Sequence, residues 1–219
     1  MGERLPEAYA LLADLLVRLG EPAEAEDAAQ QSLVFAKATD VVGWESRLRA
    51  ARVLADLGKT AEAFVALPPS DQLAASPVYD PPAQYAVMSA RLYAKADPAR
   101  ARDLTAWALG RPPPLLVLTG TRIAQDAALA LIAIGAPDAA RNAIKRGLKL
   151  LGAGGDGIRL ELLIVMQQAS PDPRVLDAIR QVVERVLPLL PPSREHASKP
   201  SSVMESFRAR AGIREAMDG

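Results

Sequence analysis

The feature that most constrains this chain is a short string that recurs along it. Gly20-Glu21-Pro22-Ala23-Glu24-Ala25 aligns with Gly58-Lys59-Thr60-Ala61-Glu62-Ala63, with Ala96-Asp97-Pro98-Ala99-Arg100-Ala101 and with Gly135-Ala136-Pro137-Asp138-Ala139-Ala140. Their first residues lie 38, 38 and 39 positions apart. A fixed period of this length means that one supersecondary unit is built repeatedly and that neighbouring units bury one another's apolar faces. The string itself encodes a helix–turn–helix. Glycine ends the first helix in a left-handed conformation at no steric cost. Proline then sits in the first turn of the second helix, where its missing N–H is not needed. The alanine five places after the first residue lets that second helix lie close to its neighbour.

The residues upstream agree with this reading. Four places before each turn stand Leu16, Leu54, Leu92 and Leu131. Three before those are small residues, Ala13, Ala51, Ser89 and Ala128, preceded by Leu12, Ala50, Met88 and Ala127. These offsets trace one apolar stripe on a helix.

On these residues the chain resembles the tetratricopeptide family, whose repeats pair an aromatic, a Leu–small doublet and a large residue with a later alanine. Tyr9, Leu12, Ala13, Leu16 and Ala25 match that pattern, and so do Tyr85, Met88, Ser89, Leu92 and Ala101. Arg47 and Ala124 depart from it, standing where the aromatic belongs. The period is longer than the usual one and is similar to that of bacterial regulators of the maltose-activator type. The resemblance covers roughly residues 6–151. It implies an all-α fold of antiparallel helix pairs stacked into a right-handed superhelical solenoid, and a function in binding other proteins.

A fifth, degenerate unit is expected beyond it. Ile158 to Gln168 reads as a helix, Ser170-Pro171-Asp172-Pro173 as a turn and Val175 to Leu187 as the partner helix, with terminal repeats commonly atypical. Residues 1–190 are therefore expected to form a solenoid of about five repeats. Pro68-Pro69 should stop the second helix of repeat two, and a long loop follows over 70–82. Arg111-Pro112-Pro113-Pro114 breaks the chain again, and Leu115 to Leu118 reads as the start of a long helix. Residues 191–202 read as a flexible Pro/Ser-rich linker. Residues 203–219 read as a short C-terminal helix, opened by the capping-box pattern Ser202-Val203-Met204-Glu205 and carrying Met204, Phe207 and Ala211 on one stripe.

Charge and composition narrow the function. The chain has 219 residues, of which 26 are basic and 26 acidic, so it lacks the electrostatic footprint of a nucleic-acid binder. It has no cysteine, which removes disulfides, thiolate metal sites and cysteine nucleophiles and fits a cytoplasmic location. Charges at Glu3, Arg4, Glu7 and Asp14 interrupt any secretory signal, and no apolar run is long enough to span a membrane. The single histidine, His196, falls in the linker without an orienting partner, so neither a triad nor a metal site is expected. Gly152 to Gly157 has the spacing of a dinucleotide-binding turn, but a helix precedes it where that motif needs a strand; it reads as a helix stop and a loop. Arg185 to Pro191 has the spacing of a proline-groove ligand and reads equally as the end of the last helix. No catalytic residue, cofactor or metal is expected.

The resemblance implies that the first helix of each repeat lines a concave groove. By offset the lining is Glu7, Ala10, Asp14 and Val17, then Glu45, Leu48, Arg52 and Ala55, then Ala86, Ala90 and Tyr93, then Arg122, Gln125, Leu129 and Ile132. This groove is acidic at one end and apolar toward the other, which suits a partner's peptide or amphipathic helix. The expected function is a protein-interaction scaffold, with self-association open as a further mode. The alternative is a regulatory or sensor segment of a larger signalling protein, such as a kinase, cyclase or transcription regulator. The start of the chain almost inside its first helix fits that alternative.

Overall fold

The computed structural model describes residues 5–36, 41–69 and 80–186. Among the described residues there are ten α-helices and no strand: α1 (Leu5–Leu19), α2 (Pro22–Phe35), α3 (Val41–Asp56), α4 (Thr60–Ala66), α5 (Pro81–Tyr93), α6 (Pro98–Gly110), α7 (Val117–Ala133), α8 (Pro137–Leu151), α9 (Asp156–Ala169) and α10 (Pro173–Val186). The all-α expectation is met, and the fifth helix pair is present. Most of the proposed loop after Pro69, the linker, the C-terminal helix, His196 and all but the start of the Arg185 to Pro191 motif lie outside the described residues.

Three of the four repeated turns close identically. Gly20, Gly58 and Gly135 adopt φ of 76°, 78° and 74°. The next residue's N–H then donates back across the helix end, from Glu21 to Leu16 O at 3.0 Å, Lys59 to Leu54 O at 2.8 Å and Ala136 to Leu131 O at 2.8 Å. This is the glycine-terminated helix stop that the sequence pattern encodes. Ala96 has no such freedom, and the third turn closes differently: Ala96 N and Asp97 N both donate to Tyr93 O, and the Asp97 carboxylate caps α6 by accepting from Arg100 N at 3.0 Å. Turns this short leave each pair antiparallel.

The repeated alanines do what their positions require. Ala25, Ala63, Ala101 and Ala140 are fully buried, as are Ala13, Ala51 and Ala128, with Ser89 nearly so. Each helix packs on its neighbours in chain order, and the first helices of successive pairs also pack on one another, α1 on α3, α3 on α5, α5 on α7 and α7 on α9. One position breaks the pattern. Ala50, Met88 and Ala127 are buried, but their equivalent Leu12 is 44% exposed, because no earlier helix pair lies against α1 among the described residues.

Two large apolar clusters meet at α5. Met88 and Leu92 belong to the cluster of α1 to α4, whereas Ala83, Ala86 and Val87 belong to that of α6 to α10. α4 ends at Ala66 because Pro68 disfavours a helical Leu67, whose ψ is 137°. Leu115 and Leu116 lie ahead of α7, with Leu116 in an extended conformation, so the helix begins at Val117, two residues later than expected. The α6–α7 connection is pinned from two sides. Arg111 Nε bonds Asp80 Oδ2 at 2.8 Å, and Arg146 Nη2 donates to the Arg111 carbonyl at 2.7 Å.

Candidate functional site

The first helices of the pairs carry a network of charges. Arg52 on α3 grips Asp126 on α7 through two nitrogens, Nη2 to Oδ2 at 2.7 Å and Nε to Oδ2 at 3.1 Å. Arg91 on α5 reaches the other Asp126 oxygen at 3.4 Å and also binds Asp56 on α3. Asp14 on α1 accepts from Arg18 at 3.1 Å and from Arg122 on α7 at 3.3 Å. Arg18 lies 3.9 Å from Glu161 on α9. Five helices are thus joined by four guanidiniums and four carboxylates, and the charges balance.

Burial makes these pairs strong and unforgiving. Burial by itself would raise the Asp126 carboxyl, yet Arg52, Arg91 and Arg122 together hold it below its ordinary value. The same opposition acts on Asp14, where burial is outweighed by Arg122, Arg18 and Arg52. Burial pushes the Arg122 guanidinium down, aided by repulsion from Arg52, whereas on Arg52 the carboxylates prevail and the guanidinium is raised.

The expected groove residues fall into three groups. Asp14, Arg52 and Arg122, read as separate charges in different repeats, are brought together. Leu48, Ala86 and Ala90 are buried in the core and offer no surface to a partner; so is Ala10. This corrects their assignment to the groove lining: the helix face that carries them is packed into the core. Glu7, Glu45, Gln125, Leu129 and Ile132 remain partly exposed, with Glu45 near Arg49 of its own helix and Leu129 and Ile132 against the larger core cluster. Arg18, Asp56, Arg91, Asp126 and Glu161 were not anticipated. A signal for some of them exists: Asp14/Arg18 in repeat one recurs as Arg52/Asp56 in repeat two with both signs reversed.

Tyr93 lies elsewhere, in a pocket of about 640 Å³ bounded by α3, α4, α5 and α6. Its ring meets Phe64 edge-on with centroids 4.9 Å apart, and the Arg100 guanidinium lies 4.1 Å above it. Arg47, Tyr85, Ser89, Pro68 and Leu104 complete much of the wall. Arg47 donates from Nη2 to the Val65 carbonyl at 3.0 Å, while its buried Nε has no hydrogen-bond partner.

Gly152 (φ 64°) and Gly155 (φ 71°) connect α8 to α9, so the glycine string lies between two helices, as expected. Among the described residues no group of three or more His, Cys, Asp or Glu side chains is placed to hold a metal, and no helix is long and apolar enough to cross a membrane. Compared with known proteins, the chain matches no protein-family model, no curated protein and no solved structure.

Proposed function

We propose that this chain is a protein-interaction module of stacked, tetratricopeptide-like helix pairs that takes a peptide or amphipathic helix from a partner. The observation that carries this reading is the surface at the α6–α7 connection. Leu115, Leu116, Val117 and Leu118 are consecutive and all exposed, with Leu115 at 74%. Trp107, one turn before the end of α6, is half exposed under Arg111. Four successive large apolar residues held in water are unfavourable unless something covers them. They stand on a connection pinned by Arg111 and Arg146, so a partner meets a preformed surface. On the first-helix face a partner would have to meet or displace the ion pairs, and would find Gln125, Leu129 and Ile132 as its neutral contacts.

The test is affinity capture with the intact chain and with a Leu115→Ser/Leu118→Ser variant that keeps the helical circular dichroism spectrum. A partner recovered by the first and lost by the second supports the module. Recovery of the same proteins by both would remove the surface from consideration.

A second reading, a regulatory or sensor segment of a larger signalling protein, is favoured by α1. Leu11, Leu12 and Leu15 are exposed on the side that α2 and α3 leave uncovered, and the equivalents of Leu12 in later repeats are buried. A helix pair or domain packed there would complete the pattern. Loss of a domain–domain contact on Leu12→Gln in the longer chain would separate this reading from the first.

A further inference from the structure

The pocket between α4 and α6 has features that the interaction reading does not use. Arg47 occupies the repeat position filled by Tyr9 and Tyr85 in the neighbouring units. Its guanidinium is drawn partly out of water, and burial pushes it below the ordinary arginine value, with no carboxylate among the described residues offsetting it. Of the two cations of the pocket, neither Arg47 nor Arg100 has an ion-pair partner among the described residues. The contrast with the first-helix face is sharp, since Arg18, Arg52, Arg91 and Arg122 all find carboxylates there. The Arg47 Nε is sealed from solvent, so an incoming acceptor engages the terminal nitrogens of the guanidinium instead. The neighbouring walls carry the flat rings of Phe64, Tyr85 and Tyr93 beside Pro68, with polar groups among them. The volume, about 640 Å³, lies in the range of small-molecule sites.

We propose that this pocket binds a small organic monoanion, a carboxylate carried on a flat aromatic body, with the carboxylate at Arg47 and the body against Phe64, Tyr85 and Tyr93. A monoanion is favoured because Arg47 is the one guanidinium set into the wall, whereas Arg100 is engaged face-on with Tyr93 and stands at the rim. A second negative charge would have to enter among apolar rings at high desolvation cost. The gap exists because α4 stops at Ala66 and its second-helix neighbour α6 does not close against it.

The test titrates the full chain with 2-naphthylacetate, its uncharged amide, acetate and inorganic phosphate, following binding by calorimetry and by NMR. Naphthylacetate is expected to bind at least about tenfold more tightly than the other three, since charge-assisted hydrogen bonding and aromatic burial are both needed. Arg47→Met should lose about tenfold or more of that affinity without lowering the melting temperature. Arg100→Gln should lose less, and Arg174→Gln, on α10, should lose nothing. Phe64→Leu is expected to weaken naphthylacetate while leaving acetate unchanged. Equal binding of the acid and its amide, acetate or phosphate as tight as naphthylacetate, unchanged affinity in Arg47→Met, or no binding of naphthylacetate would each overturn the proposal. Because the readout is a small ligand, its failure leaves the Leu115–Leu118 surface untouched.

Discussion

Arg52 and Asp126, 74 residues apart in the chain, meet in a buried two-pronged ion pair with a shortest distance of 2.7 Å. Asp126 is 1% exposed and also serves Arg91, so it is the anion on which two cations depend. Removing it strands Arg52 and leaves Arg91 with Asp56 alone. Asp126→Asn is expected to destabilise the fold by about 3–5 kcal/mol, the range for breaking one side of a buried pair. Chemical denaturation of the variant checks it. A change below about 1 kcal/mol would place the pair in a solvated setting.

The same pairs set the response to acid. The folded carboxyls of Asp14 and Asp126 lie below their ordinary value of 3.8. A lowered folded value means that the stabilisation is present above the unfolded value and is lost as the pH falls through the folded one. Stability should therefore be level on this account near neutrality and decline in the acid limb below about pH 5. Asp126→Asn should show a shallower acid limb than the parent chain.

Helix contact at the repeated alanines gives a packing prediction. Ala101 is fully buried on α6, whereas Ala61 on α4 is exposed. Ala101→Leu should cost about 1–3 kcal/mol by overpacking, and Ala61→Leu should leave the melting curve close to unchanged. Matching midpoints for the two variants would mean that the repeats are out of register.

At Gly135 the constraint is the backbone and not space. Its φ is +74°, and an added Cβ would meet nothing within 4 Å. Gly135→Ala is expected to cost about 1–2 kcal/mol from the left-handed conformation alone. At Gly147 the reverse holds: its backbone is unstrained, but a Cβ would come within 3.0 Å of the Ala124 Cβ. Comparing Gly135→Asn with Gly135→Ala separates the two causes, because asparagine tolerates positive φ better.

These contrasts show what the sequence carried. The helix pairs were legible because each turn is a local device: Gly20, Gly58 and Gly135 end helices by their own conformational freedom, and Pro22, Pro98 and Pro137 begin them. The buried alanines were legible through their period. The site was less so. Offsets place a residue on a helix face, but they do not say which distant helix that face meets, and Asp14 of α1 lies within 3.3 Å of Arg122 on α7. Nor do they say that Leu48 and Ala90 are buried in the core. Tyr93 joined Phe64 and Arg100, not Leu129 and Ile132, because α4 is short and leaves the side of α5 uncovered. Arg47 was visible as a departure from the aromatic position, but its meaning depended on the pocket beside it.

The first helices of distant pairs converge and are tied by charge. A double-mutant cycle on Arg52→Met and Asp126→Leu tests it most directly, since the two positions share no local structure. Unfolding free energies of the parent, both single variants and the double variant give the coupling. A coupling of about 2–3 kcal/mol is expected, with the double variant more stable than either single one, because replacing both partners leaves no stranded charge. Additive effects, agreeing within about 0.5 kcal/mol, would contradict it and show that α3 and α7 do not meet through these side chains.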